Sequence, residues 1–289
     1  MPLCTIHLLS LHTTTPAPLP TFLSTLRSTP LTPLITARVI RWIILPTHLS
    51  TTTLLSQNIH WDLLLILPST DPLPAELVKL VQHHWSITAG IPSSLVSDFH
   101  AKNEKLLHPD RHGISIPALL REPREAEDKV ERALSSHSLE LSSELQTWIQ
   151  RYTHSGPAEN EDRSGAVSML NLLAFKPGMK ESYLKYGSAF KDRVGSRFGG
   201  NAKLVGSVVS QSSSLSQPRH LDDSSGWDEI ALAHYPSLHH FAAMLGSADY
   251  QAANKTFRLP SLRDTCILFT EEIGVEKIMG MDKGNGAKL

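Results

Sequence analysis

The sequence predicts an α+β protein made of two β-α-β-β-α-β units that pack sheet to sheet within one chain. Three observations predict it. Short β-branched and aliphatic runs alternate with helical apolar stripes in the order strand, helix, strand, strand, helix, strand. That order occurs twice, over residues 1–91 and 166–275. The copies also share local sequence: IHLLSL (6–11) matches LNLLAF (170–175), ARVIRW (37–42) matches AKLVGS (202–207), and Trp61-Asp62 followed by Pro68-Ser69 matches Trp227-Asp228 followed by Pro236-Ser237. The first match pairs His7 with Asn171.

The second unit is the clearer one. VSMLNLLAF (167–175) is a strand, ended by Pro177-Gly178. Met179, Tyr183, Tyr186, Phe190 and Val194 then recur at three- and four-residue steps, one apolar stripe of a helix that closes at Gly199-Gly200. AKLVGSVVS (202–210) and EIALAHY (229–235) are strands joined by a polar loop, PSLHHFAAML opens a helix at Pro236, and DTCILFTEE (264–272) is the last strand. In the first unit CTIHLLSLH (4–12), TARVIRWIILP (36–46) and WDLLLILPS (61–69) are strands, LPTFLSTLRS (19–28) and PAELVKLVQHH (74–84) are helices, and WSITAGI (85–91) closes the unit. This is the ferredoxin-like arrangement. Its antiparallel sheet has helices on one face only, so a second sheet is expected to cover the other, leaving a cleft between the two.

Residues 92–165 form a helical and flexible linker. SSLVSDFHAKNEKLL is a helix after Pro92, REPREAEDKVERALSS is charged and helix-prone, and Leu141, Leu145, Trp148, Ile149 and Tyr152 share one stripe. GPAENEDRSG (156–165) is an acidic linker, and residues 276–289 are a disordered tail.

Composition excludes several classes. A 289-residue chain with 40% hydrophobic and 19% charged residues is of ordinary globular make-up. The formal net charge of −1 offers nothing to nucleic acid or an anionic membrane. Two cysteines, Cys4 and Cys266, make no disulfide framework, so a reducing, cytoplasmic location is expected. The N-terminal apolar run has no preceding Lys or Arg and is interrupted by His7 and His12, which reads as a strand rather than a signal peptide. No stretch is long enough for a membrane span. P-loop, Gly-x-Gly-x-x-Gly and Gly-x-Ser-x-Gly patterns are absent, and HPDRHG (108–113) reads as a turn.

Over about residues 165–272 the pieces MLNLLAF, YLKYGSAF, WDEIALAHYPS, the ADY ending at Tyr250, and Arg258 with Arg263 resemble the dimeric α/β-barrel superfamily, in particular its small domain-of-unknown-function group with an aromatic-Pro-Ser turn. The resemblance implies a barrel, here closed within one chain, as a pseudo-two-fold monomer or a homodimer. It also implies a range of activities that includes cofactor-free monooxygenases, isomerases, cyclases and haem enzymes, as well as proteins with no known reaction. The expectation is therefore a cofactor-free enzyme moving protons on a small apolar metabolite. A haem-dependent enzyme and a non-catalytic binding or assembly protein are the alternatives.

His234 shares a strand face with Ile230 and Leu232, where it is either a general base or acid or a hydrogen-bonded core histidine. Asn171, on a face with Met169, Leu173 and Phe175, is either a polarising donor or a strand tie. His7 would occupy the matching place in the other sheet. Tyr183, Tyr186 and Tyr250 are pocket walls or core, and Arg258 holds an anionic group or pairs with Asp264 or Glu271. The adjacent His239 and His240 diverge on a helix, so they are read as solvated and not as metal ligands.

Overall fold

Eight strands carry the chain, and in the computed structural model they form a closed antiparallel barrel, described over residues 1–109, 138–154, 165–212 and 226–285. REPREAEDKVERALSS and most of the polar loop before Trp227 and of GPAENEDRSG lie outside the described residues. The strands are β1 (Leu3–Leu11), β2 (Ile35–Ile44), β3 (Leu63–Leu67), β4 (Val81–Gly90), β5 (Val167–Phe175), β6 (Asn201–Ser212), β7 (Glu229–Tyr235) and β8 (Leu262–Glu271). Their ring order is β1-β3-β2-β8-β5-β7-β6-β4, returning to β1. Taken half by half, the order is fourth, first, third, second strand in both.

The halves close on each other at two seams. One pairs β2 with β8, from Arg38 opposite Glu271 to Ile44 opposite Ile267. The other pairs β4 with β6, from Ser86 opposite Ser212 to Gly90 opposite Ser207. Gly206 permits the second seam, since a Cβ there would lie 2.8 Å from the Gly90 carbonyl oxygen and from Ile91 Cγ1.

Strand alternation sorts the side chains. Cys4, Ile6 and Leu8 of β1, Leu64 and Ile66 of β3, Trp85 and Ile87 of β4, Leu170 and Leu172 of β5, Ile230 and Leu232 of β7, and Cys266 and Leu268 of β8 meet in one cluster inside the barrel. Each such aliphatic side chain contributes about 1.5–3 kcal/mol relative to exposure. The expected cleft between two sheets is therefore filled by packed core. The opposite faces carry helices: Pro18–Arg27 sets Phe22, Leu23 and Leu26 on Leu9, Leu63 and Leu65, while Leu238–Leu245 sets Phe241 and Leu245 beside Met169 and Ile267.

The Trp-Asp corner is the same in both halves. Asp62 Oδ2 accepts the Leu11 N–H at 2.7 Å, and Asp228 Oδ2 accepts the Phe175 N–H at 2.6 Å. The Asp62 N–H donates to Leu9 and the Asp228 N–H to Leu173, each at 2.8 Å. Trp61 and Trp227 are both buried in the barrel core.

Several expected elements differ. The helix expected over 74–84 is a single turn, Ala75–Val78, and β4 already begins at Val81. Pairing of Val81, His83 and His84 with β1 outweighs the helical pattern of LVKLVQHH. The helix after β7 is capped by Ser237, whose side chain accepts the His240 N–H, and Pro236 stays outside it. SSLVSDFHAKNEKLL breaks at Asp98 (φ 54°) into Ser93–Val96 and Phe99–Leu107. From Ile273 to Asn285, where a tail was expected from 276, the chain is helical, with Val275, Ile278 and Met279 packed against the core beside Phe22. Among the described residues no helix is long and apolar enough to cross a membrane.

Asp264, at the start of β8, ties it to the chain following β2. Its carboxylate accepts the N–H groups of His48 and Leu49 at 2.8 Å, Thr47 N at 3.2 Å and Thr47 Oγ1 at 3.0 Å. Burial alone would push this carboxyl up, but the N–H donors of Leu49, His48 and Thr47 outweigh it and hold it below the usual aspartate range. Asp264→Ala removes the acceptor that these partly exposed donors share and is expected to cost on the order of 2 kcal/mol in urea unfolding. Asp264→Asn, which keeps one oxygen, should cost less; equal unfolding midpoints for wild type and Asp264→Ala would refute the tie.

Candidate functional site

A cavity of about 720 Å³ lies outside the barrel in the second half, between the outer faces of β5, β6 and β7 and the helices above them. Its floor is Met169 and Asn171 of β5, Ala202 and Val205 of β6, and Glu229, Ala231 and Ala233 of β7. Tyr183 and Tyr186 from helix Lys180–Ala189, with Phe190 from the π-helical turn Phe190–Gly195, form its roof, and Tyr235, Phe241 and Tyr250 its far wall. Leu184, 55% exposed, stands at the rim. Gly199 (φ 66°) also lines it; a Cβ there would lie 2.5 Å from the Pro236 ring, so the wall requires glycine.

Small side chains explain why space exists here and not in the first half. Aligned on the repeated Trp-Asp corner, Leu63, Leu65 and Leu67 of β3 stand where β7 has Glu229, Ala231 and Ala233. The three leucines are fully buried against Phe22 and Leu23. Two alanines and a carboxylate leave the corresponding volume open.

Glu229 is buried at 7% exposure, and its carboxylate lies 3.5 Å from Lys180 Nζ, whose side chain is half exposed. Burial pushes this carboxyl up, against the pull of Lys180 and with a push from Asp228. Asn171 donates its amide N–H groups to the Met169 carbonyl at 2.9 Å and, more weakly, to that of Ala231 at 3.5 Å. That leaves its oxygen for the cavity, so Asn171 offers an acceptor where a donor was expected. The tyrosines form one cluster: ring centroids are 5.4 Å apart for Tyr183–Tyr186 and 6.3 Å for Tyr186–Tyr250, and the Tyr186 hydroxyl donates to that of Tyr250 at 3.4 Å. Burial pushes all four phenols, with Tyr235, upward, so they stand as hydrogen-bond donors.

Arg258 sits behind that wall. It pairs with neither expected carboxylate: Asp264 is held by the backbone, and Glu271 accepts the Tyr152 hydroxyl at 3.0 Å.

The two histidines lie elsewhere. Ser168 faces His234 across β5 and β7, whereas Asn171 faces Ala231, so Asn171 and His234 point to opposite sides of the sheet. His234 is inside the barrel near Lys203 and His240, with Nδ1 making no hydrogen bond, and burial pushes it down to about 3. His7 is on an outer face of the first half, its Nδ1 2.9 Å from His84 Nε2, and burial beside His84 pushes it to about 3 as well. It lines no described cavity; His84 borders a separate one of about 320 Å³. His240, expected to be solvated, is buried with Nδ1 2.8 Å from Ser237 Oγ, because helix Leu238–Leu245 is covered on more than its apolar stripe. His239 is only half-buried.

No histidine or cysteine is among the described residues lining the large cavity, so a haem held through imidazole or thiolate has no ligand there. Glu104, His108 and Glu276 have ligand atoms within 4.8 Å of one another, the only described cluster with metal spacing, but Glu104 and His108 are exposed and none of the three lines the cavity.

No family model matches the chain, and no curated protein matches it. Among solved structures it is similar to RPA0582, a protein of unknown function from Rhodopseudomonas palustris, at 22% identity over 45% of this chain and 93% of that one, with a TM-score of 0.33. The methylated form of RPA0582 gives 22% identity, 46% and 93% coverage and a TM-score of 0.34. An anthrone oxidase-like protein is similar over 93% of this chain and 91% of its own, at 9% identity and a TM-score of 0.37.

Proposed function

We propose that the protein is a cofactor-independent enzyme that moves a proton on a small, largely apolar metabolite held in the cavity of the second half. Glu229 carries this reading, as a buried carboxylate with a raised pKa on the wall of a cavity lined mainly by apolar and phenolic side chains. A carboxylate in that setting is a better base than one in water, because desolvation favours its protonated form. It removes a proton from a carbon or oxygen made acidic by an adjacent carbonyl. A tyrosine hydroxyl donates to the oxygen on which charge develops, and Asn171 accepts from a donor on the ligand. Isomerisation, cyclisation and oxygenation can all follow from that first step.

We further infer that the two halves are diverged copies of one ferredoxin-like unit. The shared strand order and the repeated Asp62 and Asp228 corners support this reading. The first copy has its cavity filled by leucine and acts as scaffold, so one ligand binds per chain. The barrel closes within one chain, and no second copy is needed to complete the site.

The test is exchange of the acidic C–H protons of β-tetralone in D2O, followed by NMR with and without the protein. Wild type should accelerate exchange, and Glu229→Gln should lose about 100-fold of the acceleration or more. The rate should rise with pH through a range above that of an ordinary glutamate. Absence of acceleration by wild type, or full activity in Glu229→Gln, would count against Glu229 as the base.

A further inference from the structure

The described core holds five buried charged side chains, and four of them are balanced: Lys203 pairs with Glu272, Glu229 with Lys180, and Asp264 accepts five hydrogen bonds. Arg258 is the fifth. It is 1% exposed, yet its guanidinium meets only neutral partners: it donates to Asn254 Oδ1 at 3.5 Å and to Thr265 Oγ1 at 3.4 Å and hydrogen-bonds the Tyr183 phenol. Among the described residues no carboxylate lies within ion-pair distance. A buried cation facing neutral, stretched partners is costly unless an anion completes it. Arg258 ends a π-helical turn, Asn254–Arg258, a local backbone form frequent at functional sites. The phenols that feel its charge are those of the cavity wall.

We propose that Arg258 and the phenols of Tyr183, Tyr186 and Tyr250 form an oxyanion subsite, so that the cavity takes a largely apolar ligand carrying an ionised oxygen. The tyrosine hydroxyls donate to that oxygen, and Arg258, acting through them as a positioning residue, supplies the balancing charge from behind. Tyr183 and Glu229 line the same cavity, so the anionic oxygen and the base address one ligand. The inference rests on the reading of this cavity as the ligand site and adds the ligand's charge. A carboxylate and a phenolate or enolate share this chemistry.

The test is calorimetric titration of the full chain with β-naphthoate and its neutral isostere β-naphthamide, and absorbance titration with para-nitrophenol, whose colour reports its ionisation. Wild type should bind β-naphthoate about tenfold tighter than β-naphthamide, or bind para-nitrophenol with a raised ionised fraction. The first result identifies a carboxylate ligand and the second a phenolate or enolate. Arg258→Gln should abolish the anion preference and leave β-naphthamide binding unchanged. Tyr183→Phe, which keeps the packing, should cut the preference as well, so the answer does not hang on one variant folding. No anion preference in wild type, or one that survives in Arg258→Gln, overturns the oxyanion subsite. Failure of every probe to bind overturns the ligand cavity with it. Loss of tetralone exchange with the anion preference intact overturns only the role of Glu229.

Discussion

Lowering the pH from 7 to 4 is expected to reduce the unfolding free energy by about 6 kcal/mol, at constant ionic strength. His7 and His234 carry the effect. Both are held at about 3 in the folded protein by burial, against an ordinary value of 6.5, with His84 adding to the effect at His7 and Lys203 and His240 at His234. Between those values the unfolded chain takes up protons that the folded chain refuses. Their contribution is therefore complete above pH 6.5, declines as the pH falls, and is gone below about 3. Each histidine accounts for about 3 kcal/mol at pH 4. Asp264, held low, adds in the same direction at the acid end, while Glu229, held high, offsets part of the loss. Urea unfolding across this range measures the effect. His7→Gln and His234→Gln should each flatten the profile, and a midpoint independent of pH in wild type would sink the account.

Much of the barrel was legible because alternation and helical stripes are local signals. EIALAHY is the seventh strand residue for residue, and the stripe through Tyr183 and Tyr186 is the helix over the cavity. The misread places are those where a distant partner decides. His83 and His84 continue an apparent helix, yet β1 draws them into a ladder. The polar tail holds a helix through three apolar residues whose docking site, beside Phe22, is far away in sequence.

The site divides along the same line. Tyr183, Tyr186, Tyr250 and Asn171 converge because each points outward from its own element, which periodicity reveals. The parity of the β5–β7 register does not follow from either strand alone: Leu170 faces Leu232, which puts His234 inside and Asn171 outside. Glu229 was missed, although a signal existed. Laying WDLLLIL over WDEIALA shows a carboxylate and two alanines where the first half has leucines, a filled position in one half and an open one in the other.

The other large effect concerns the closed end of the barrel. Lys203 is the extra residue of an irregularity between Ala202 and Leu204 of β6, and its fully buried ammonium donates to Glu272 Oε1 at 2.5 Å. Glu272 also accepts from Ser168 Oγ at 3.3 Å and from Asn103 Nδ2 at 2.7 Å, so this one carboxylate joins β5, β6, the end of β8 and helix Phe99–Leu107. Glu272→Ala removes the counter-charge and strands an ammonium and two further donors away from water. The expected cost is about 3–5 kcal/mol, measured by urea unfolding. Burial already pulls the Lys203 ammonium below its ordinary value, in spite of Glu272, which shows that desolvation dominates at this position. Replacing both partners, as in Lys203→Met with Glu272→Leu, removes the charges along with their attraction and should recover most of the loss. A double variant as unstable as Glu272→Ala alone would mean that shape at the barrel end, and not charge balance, determines the stability there.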